Sequence, residues 1–249
     1  MEHWQDRTRL LLGGEALEIL EKSTVLIVGL GGVGSYAAEM LARAGVGHVI
    51  LADGDAVSVT NINRQLPAYT DTVGFLKTEI MEKRLLKINP NIRTDRCDYF
   101  LDEASIPVLL DTYTPDYVVD AIDTLFPKVA LIRYFLNRNI PVVSSMGAGA
   151  RLDATAVRIA DISQTSHCPL AATIRKRLRK EGVLSGVKTV YSTEVPVPGA
   201  VVSGGKGYKK SIIGTVSYLP AVFGCICAQV VLCDLLKIPN FEDCFNRAP

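Results

Sequence analysis

The residues with the clearest chemical potential follow an apolar strand near the start of the chain. A glycine-rich segment, Gly29-Leu30-Gly31-Gly32-Val33-Gly34, comes directly after the apolar run 25–28. Glycines let the backbone approach a phosphate group, and the free N–H groups and dipole of the following helix favour an anion. Asp53 ends the next apolar run, where a carboxylate can accept hydrogen bonds from the ribose hydroxyls. This pattern predicts a bound nucleotide but fits NAD, FAD and ATP equally well.

A group of basic and amide side chains after the second strand narrows that choice. Asp55 follows Asp53, the segment Thr60-Asn61-Ile62-Asn63-Arg64-Gln65 comes next, and Lys77 lies farther along. Two cations beside a triphosphate stabilise the charge that develops on a leaving pyrophosphate, and an oxidoreductase has no need of them. Asp123, at the end of a later strand, suits Mg²⁺, which prefers carboxylate and phosphate oxygens. These residues favour an enzyme that uses ATP.

Alternating strands and helices must position these groups. Strands are predicted at 25–28, 48–52, 92–97, 116–123 and 141–145, with helices at 15–22, 34–44, 74–88, 103–111 and 126–138. Such alternation produces βαβ units and a parallel sheet covered on both faces. Later strands at 156–160 and 189–192, which flank a basic helix, are candidates for antiparallel pairing. The predicted fold class is α/β: Rossmann-like, mostly parallel, with helices on both faces and a few antiparallel strands in the C-terminal part.

Two C-terminal segments have unusual compositions. Residues 194–211 are rich in Gly and Pro, which predicts a mobile loop. Residues 212–233 contain no charged side chain and are long enough to raise the question of a membrane span. Pro220 would interrupt a continuous span, so we favour a buried helix that begins near Pro220 and packs on a sheet. Membrane association through residues 212–236 is left open.

The charges are unevenly distributed, although the net charge is only +1. Residues 172–210 contain nine Lys or Arg against two acids. A single basic helix face is usually only solvated, but a second basic cluster in the glycine-rich loop favours an anionic partner. The candidate contacts are Arg175, Lys176, Arg177, Arg179, Lys180, Lys206, Lys209 and Lys210.

The cysteines and the first residues bear on zinc and on cellular location. Six cysteines include no C-x-x-C pair, so no zinc site is predicted. Cys168 lies where an acyl-carrying cysteine could be, but a core or incidental thiol is the favoured interpretation. Residues 1–20 carry charges throughout, which does not fit a signal peptide. A reduced, cytoplasmic location is therefore expected.

Together these motifs resemble those of the ubiquitin-activating-type, or ThiF-like, adenylating superfamily. The resemblance runs over about residues 7–150 and rests on G-x-G-G-x-G, D-x-D, N-x-N-R-Q, V-G-x-x-K at 73–77, Ile88-Asn89-Pro90 and A-I-D-T at 121–124. It implies that ATP is held by Gly29, Gly31, Gly32, Gly34, Asp53, Asp55, Asn61, Arg64 and Lys77. Arg64 and Lys77 would bind phosphates, and Asp123 would serve Mg²⁺ and catalysis. The resemblance also implies a homodimer in which Arg7 reaches the other subunit's ATP site.

Two branches of this superfamily compete. Activators of ubiquitin-like sulfur-carrier proteins usually have paired C-x-x-C zinc motifs, which this chain lacks. The chain instead resembles tRNA threonylcarbamoyladenosine dehydratases, in Asp120–Thr124 with Lys128, in Pro169-Leu170-Ala171 before the basic helix and in Tyr191–Glu194. We therefore expect one adenylating domain over residues 1–249, with an ATP-binding half, 1–150, and a tRNA and dimer half, 151–249.

The resemblance to the dehydratases implies a substrate and a reaction. The enzyme would adenylate the threonyl carboxylate of the modified adenosine at position 37 of tRNA and close the ring with loss of water. The basic residues of 175–210 would contact tRNA, and a sulfur-relay or cysteine desulfurase partner is left open. The alternatives are an activator of a sulfur-carrier protein and, from another class, an NAD(P) oxidoreductase or nucleotide-sensing module.

Overall fold

One seven-stranded sheet organises the protein. The computed structural model describes residues 3–204 and 211–238. The sheet has the order β3-β2-β1-β4-β5-β7-β6, in which β6 is antiparallel to β7 and the other neighbours are parallel. Its strands are β1 (Thr24–Val28), β2 (His48–Ala52), β3 (Arg93–Cys97), β4 (Tyr117–Asp120), β5 (Val142–Ser145), β6 (Val157–Asp161) and β7 (Lys188–Ser192). A separate antiparallel pair consists of β8 (Val201–Ser203) and β9 (Ser211–Ile213).

Helices cover both faces of the sheet. They are α1 (Asp6–Leu12), α2 (Gly14–Lys22), α3 (Gly34–Ala44), α4 (Lys77–Ile88), α5 (Ser105–Thr112), α6 (Leu125–Leu136), α7 (Pro169–Lys180) and α8 (Tyr218–Leu235). Successive strand residues point to opposite faces. Val25 and Ile27 of β1 therefore join the core with α3, α4 and α8, whereas Leu26 and Val28 join the core with α5 and α6. The predicted Rossmann-like α/β fold is confirmed.

The apolar helix α8 is part of the packed structure. By length and composition it could cross a membrane, yet 44% of that window is buried inside the protein. It packs along α3 and against β4, β5 and β7, with Phe223 and Val231 in the core. Pro220 lies in the first turn, where its missing N–H removes no helical hydrogen bond. The predicted buried helix near Pro220 is confirmed, since α8 begins at Tyr218.

The C-terminal part also contains pairings that the sequence does not predict. The antiparallel pairing of β6 with β7 is as expected, but β7 also pairs in parallel with β5 and so lies between β5 and β6. The prediction of a loop over 194–211 is wrong at its end, because β8 pairs with β9 through Val201 opposite Ile213. Lys206, Lys209 and Lys210 lie outside the described residues.

Strand register brings the polar segments to one edge. Val28, the last residue of β1, lies in register with Ala52 of β2 and Asp120 of β4, and Asp120 lies in register with Ser144 of β5. The loops that follow these strands therefore start side by side. Strand order reverses between β1 and β4, and in open α/β sheets the crevice at such a point binds ligands.

Candidate active site

Close contacts explain three of the glycines that follow β1. Gly29 has φ +91°, and a Cβ there would lie 2.8 Å from the carbonyl oxygen of Ala121. A Cβ on Gly34 would overlap the carbonyl oxygen of Gly29, and one on Gly32 would lie 2.9 Å from the Cβ of Pro220. The loop thus runs between the end of β4 and the first turn of α8. A Cβ on Gly31 would make only an ordinary contact, so packing does not require glycine at that position.

Asp53 ties the end of β2 to this glycine loop. Its Oδ2 accepts a hydrogen bond from the Leu30 N–H at 2.6 Å, and its Oδ1 accepts one from the Asp55 N–H at 2.7 Å. Burial raises the pKa of Asp53 above its ordinary value, while the charge of Lys77 and these two hydrogen bonds act in the opposite direction. The residue predicted to hold the ribose therefore also shapes the loop beside it.

Lys77, the first residue of α4, completes a cluster with two acids. Its Nζ lies 2.8 Å from Oδ2 of Asp55 and 3.9 Å from Oδ2 of Asp53. Lys77 is only 4% exposed, and a buried cation needs such carboxylate partners. The structure thus brings together three residues that the sequence predicts for nucleotide binding. The side chain of Asp55 is partly exposed, whereas that of Lys77 is buried.

Phe100 was not identified from the sequence. A Cβ on Gly54, between the two acids, would lie 2.8 Å from the backbone nitrogen of Phe100 and 2.9 Å from its Cδ2. The middle position of D-x-D must therefore be small, because Phe100 lies against it. The Phe100 ring itself is largely exposed beside the site.

Arg64 and Asn61 lie on the segment that follows β2. Nη1 of Arg64 donates hydrogen bonds to the carbonyl oxygen of Thr60 at 3.0 Å and to Oδ1 of Asn63 at 2.8 Å. Burial lowers the pKa of Arg64, and the nearby charge of Asp123 counteracts that effect. Oδ1 of Asn61 accepts from the Ser58 N–H at 3.1 Å and caps a short 3-10 helix. Arg64 and Asp123 are brought together, whereas the carboxamide oxygen of Asn61 is used by its own turn.

Gln65 carries a buried polar atom with an unmet hydrogen bond. Its side chain is buried, and Oε1 has no hydrogen-bond partner among the described residues. Leaving such an atom without a partner lowers the stability of the fold by roughly 1–3 kcal/mol. An unmet hydrogen bond at this position is expected of a group that binds a ligand. A cleft of about 370 Å³ beside it is lined by Tyr36, Arg64, Gln65 and Tyr69, among others. The sequence showed Gln65 within a motif but gave it no role.

A buried ion pair supports the loop that carries Asp123. Nζ of Lys128 lies 2.8 Å from Oδ2 of Asp120, and both side chains are fully buried. Oδ2 of Asp120 also accepts a hydrogen bond from Oγ of Ser144 at 2.6 Å, and Lys128 donates to the carbonyl oxygen of Ile122 at 3.1 Å. These bonds hold the loop path from β4 to α6. Asp123, at the end of that loop, is exposed.

The five basic residues of α7 do not form a uniform surface. Lys176, Arg179 and Lys180 are exposed. Nη1 of Arg175 instead donates to Oγ1 of Thr165 at 2.5 Å and to backbone carbonyls nearby. Cζ of Arg177 lies 4.2 Å from the centroid of the Phe126 ring. The sequence could not separate these three roles, because they depend on tertiary neighbours.

The remaining candidates lie apart from this edge or are buried. Arg7 is exposed on α1, a helix that buries none of its residues within the chain. Cys168 is buried at the start of α7, in agreement with a core thiol. Among the described residues, no group of three His, Cys, Asp or Glu is arranged to hold a metal ion by itself.

This combination of fold and site is that of a nucleotide-binding enzyme of the adenylating type. The chain belongs to the ThiF family, whose model matches residues 5–246.

A tRNA threonylcarbamoyladenosine dehydratase from Bacillus subtilis (strain 168) is 42% identical over 245 residues, covering 95% of this chain and 96% of that protein. The crystal structure of E. coli tRNA N6-threonylcarbamoyladenosine dehydratase, TcdA, in complex with ATP is 36% identical with a TM-score of 0.85. A complex of the same E. coli enzyme with AMP has a TM-score of 0.84. Each alignment covers 95% of this chain and 96% of the TcdA chain. The predicted resemblance is confirmed.

Proposed function

We propose that this protein uses ATP to adenylate the threonyl carboxylate of threonylcarbamoyladenosine at position 37 of tRNA and then closes the ring with loss of water. One observation carries the proposal: the similarity to the dehydratases spans nearly the whole chain, including the basic helix α7. A likeness limited to the glycine loop and its acids would fit any adenylating enzyme. The substrate assignment therefore depends on the C-terminal half.

The first step makes the carboxylate reactive. A carboxylate oxygen of the threonyl group attacks the α-phosphorus of ATP, forming the O–P bond as the bond to pyrophosphate breaks. Negative charge develops on the departing pyrophosphate, and Arg64 and Lys77 are the cations proposed to stabilise it. Asp53 and Asp55 would hold the ribose, and Gly29, Gly31, Gly32 and Gly34 would let the backbone approach the phosphates. Asn61 is proposed to contact ATP through its amide group.

The second step closes the ring. The carbamoyl group, already part of the same substituent, attacks the acyl carbon and loses a proton, while AMP leaves with the former carboxylate oxygen. The tRNA thereby loses the elements of one water molecule. Because nucleophile and acyl group belong to one molecule, closure benefits from proximity and needs no protein thiol. The burial of Cys168 agrees with this route.

A Mg²⁺ ion is proposed to accompany ATP. The exposed carboxylate of Asp123 suits a cation that takes one or two carboxylates together with phosphate oxygens and water. The triphosphate would supply further ligands, because Mg²⁺ binds substrate phosphates and retains several waters. The ion would neutralise charge on the pyrophosphate, and Asp123 would hold it in place.

We further propose a cytoplasmic homodimer that binds tRNA through α7. The apolar side chains of Leu10 and Leu11 on α1 are 87% and 82% exposed, which suits burial against a second copy that would receive Arg7. Lys176, Arg179 and Lys180 are the proposed phosphate contacts, with Lys206, Lys209 and Lys210 retained as predictions. A sulfur-relay or cysteine desulfurase partner also stays a prediction.

The decisive experiment is mass spectrometry of nucleosides from tRNA incubated with the purified protein, ATP and Mg²⁺. We expect threonylcarbamoyladenosine to lose the mass of one water, with AMP released in equal amount. Unchanged nucleoside, together with pyrophosphate exchange that depends on a sulfur-carrier protein ending in Gly-Gly, would overturn the proposal in favour of a carrier activator. ATP binding without any turnover would instead support a nucleotide-sensing module.

A further inference from the structure

Phe126 is an exposed aromatic ring beside the proposed ATP site. It is the second residue of α6 and is 69% exposed. It follows Asp123 by three residues, so the two Cα atoms are at most about 11 Å apart. Because α6 follows β4, its first turn lies at the carboxyl edge of the sheet, where the nucleotide-binding residues meet. Neither the proposed ATP contacts nor the proposed Mg²⁺ site includes this ring.

A cation from the neighbouring helix covers one side of the ring. Cζ of Arg177 lies 4.2 Å from the ring centroid. The two helices are held together by a shared core in which Val129 and Ile132 of α6 pack with Ile174 and Leu178 of α7. The stacked pair is therefore supported by two packed helices rather than by a mobile loop. The exposure of Phe126 leaves the other side of its ring accessible.

The helix that supplies Arg177 to the Phe126 ring also carries exposed cations. Lys176, Arg179 and Lys180 are exposed on α7 around Arg177. An exposed aromatic ring with cations on the neighbouring helix is an arrangement by which proteins bind unpaired nucleotides, with bases stacked on the ring and phosphates near the cations.

We propose that the Phe126 ring, backed by Arg177, is the platform on which an unpaired base of the tRNA anticodon loop stacks during the reaction. The inference rests on the proposed function and adds a specificity-determining residue to it. Four bonds separate N6 of the modified adenine from the threonyl carboxylate carbon, a span of at most about 5 Å. The modified adenine stacked on Phe126 would therefore keep its carboxylate near Asp123, where the carboxylate receives the adenylyl group of ATP as pyrophosphate leaves.

The test uses the full chain and compares kinetic constants for tRNA with equilibrium binding of ATP. Phe126→Leu keeps an apolar side chain but removes the ring, and Phe126→Tyr keeps the ring. Stacking of one base predicts a rise in KM for tRNA of about 5- to 150-fold in Phe126→Leu and a change of less than about twofold in Phe126→Tyr. ATP affinity should be unchanged in both variants.

The same helix offers a matched control. Tyr134 lies two turns further along α6, and Cζ of Arg138, just after the helix, lies 3.6 Å from the centroid of its ring. Arg138→Ala removes the cation from this second pair and should leave KM for tRNA unchanged, whereas Arg177→Ala should raise it. A short anticodon stem–loop carrying 2-aminopurine in the loop gives a direct readout, since stacking on Phe126 should quench its fluorescence in the wild-type protein but not in Phe126→Leu.

The outcomes separate this inference from the proposed function. If the wild-type protein dehydrates threonylcarbamoyladenosine in tRNA but Phe126→Leu retains a wild-type KM for tRNA, the platform is refuted and the proposed function stands. Equal losses of ATP and tRNA affinity would also overturn it, because a base platform does not touch the nucleotide. If the wild-type protein leaves tRNA unchanged, the proposed function fails first and the platform fails with it.

Discussion

The carboxyl edge of β1, β2 and β4 and the outer face of α7 both carry many charges, but those charges are held very differently. At the sheet edge, Asp53 and Lys77 are buried and each has at least two polar partners. On α7, Lys176 and Arg179 are exposed to solvent. Fixed charges in a dry site act strongly on one ligand geometry, whereas solvated charges attract a polyanion with little demand on geometry.

The two ligands would therefore be recognised in different ways. The proposed ATP site is preorganised, so each side chain has one position and a single substitution should be severe. The proposed tRNA surface adds many weak contacts, so single substitutions should be mild and their effects additive. Arg175 and Arg177 lie between these extremes, since each is engaged with a neighbour in its own chain.

The largest effect is expected at the buried cation of the sheet edge. Lys77→Met removes the partner of Asp53 and Asp55, and we expect tRNA dehydration to fall about 1,000-fold. The free energy of unfolding should fall by about 3 kcal/mol, because two carboxylates lose a buried partner. Nucleoside mass spectrometry and urea unfolding measure the two effects. Lys83→Met, at an exposed position on the same helix, is the control and should change stability by less than about 0.5 kcal/mol.

Asp123 should be nearly as sensitive, although it is exposed. Asp123→Ala removes the carboxylate proposed to hold Mg²⁺, and we expect AMP formation to fall about 100-fold or more while the fold is retained. Asp116→Ala, just before the other end of β4, is the matched control and should keep its activity. Full activity in Asp123→Ala would remove this residue from the proposed site and weaken the contrast between the two regions.

On the α7 surface, the effects of separate substitutions on tRNA binding should add. Replacing Lys176, Arg179 and Lys180 together with Ala should weaken tRNA binding about 10- to 30-fold and lower the slope of log affinity against log salt by up to about three. ATP affinity should not change. Arg175→Ala should leave the salt slope nearly unchanged, since its guanidinium is bonded to Thr165 and backbone carbonyls. A triple variant with the wild-type salt slope would contradict this assignment of the tRNA surface.

The smallest effect concerns Glu39, which braces the helix that follows the glycine loop. Burial alone raises the pKa of Glu39, but hydrogen bonds from Arg84 and Arg43 outweigh it, so that pKa lies below the ordinary 4.5. The resulting stabilisation is complete above pH 4.5 and is lost as pH falls through the lowered pKa. Glu39→Gln should therefore cost about 1.5 kcal/mol of unfolding free energy at pH 7, with the difference shrinking below about pH 4.5. If the unfolding free energies of the wild-type protein and Glu39→Gln differ by the same amount from pH 7 to pH 3, the charge of Glu39 does not contribute to stability.

Local patterns in the sequence were sufficient for the central fold. The apolar runs that become β1, β2 and β4 predict parallel strands, and Asp53 and Asp123 follow from their places after strand ends. The order of the strands could not be predicted in the same way. β7 lies between β5 and β6 because of packing between layers, and no local sequence pattern indicates that packing. The β8–β9 pair was missed because three-residue strands are too short to show an alternation.

Most residues of the candidate site could be identified from the sequence, but the contacts between them could not. Lys77 and Asp55 both belong to motifs, yet their ion pair joins residues from different elements and depends on how α4 packs. Tertiary neighbours also determine three other features of the site. These are the unpaired Oε1 of Gln65, the Phe100 ring beside Gly54 and the stacking of Arg177 on Phe126. Propensity and periodicity describe one segment at a time and cannot contain such information.

The close contact between α8 and the glycine loop has a consequence for how the protein is made. Gly224 faces the backbone of Val33 so closely that a Cβ at this position would collide with the carbonyl oxygen of Val33. The loop precedes α8 in the sequence, and chains emerge from the ribosome N-terminal end first, so the loop leaves the ribosome before α8. The nucleotide pocket therefore reaches its final shape only after α8 has been synthesised. A nascent chain that stalls before α8 is expected to have its strands in place but no finished cradle for ATP.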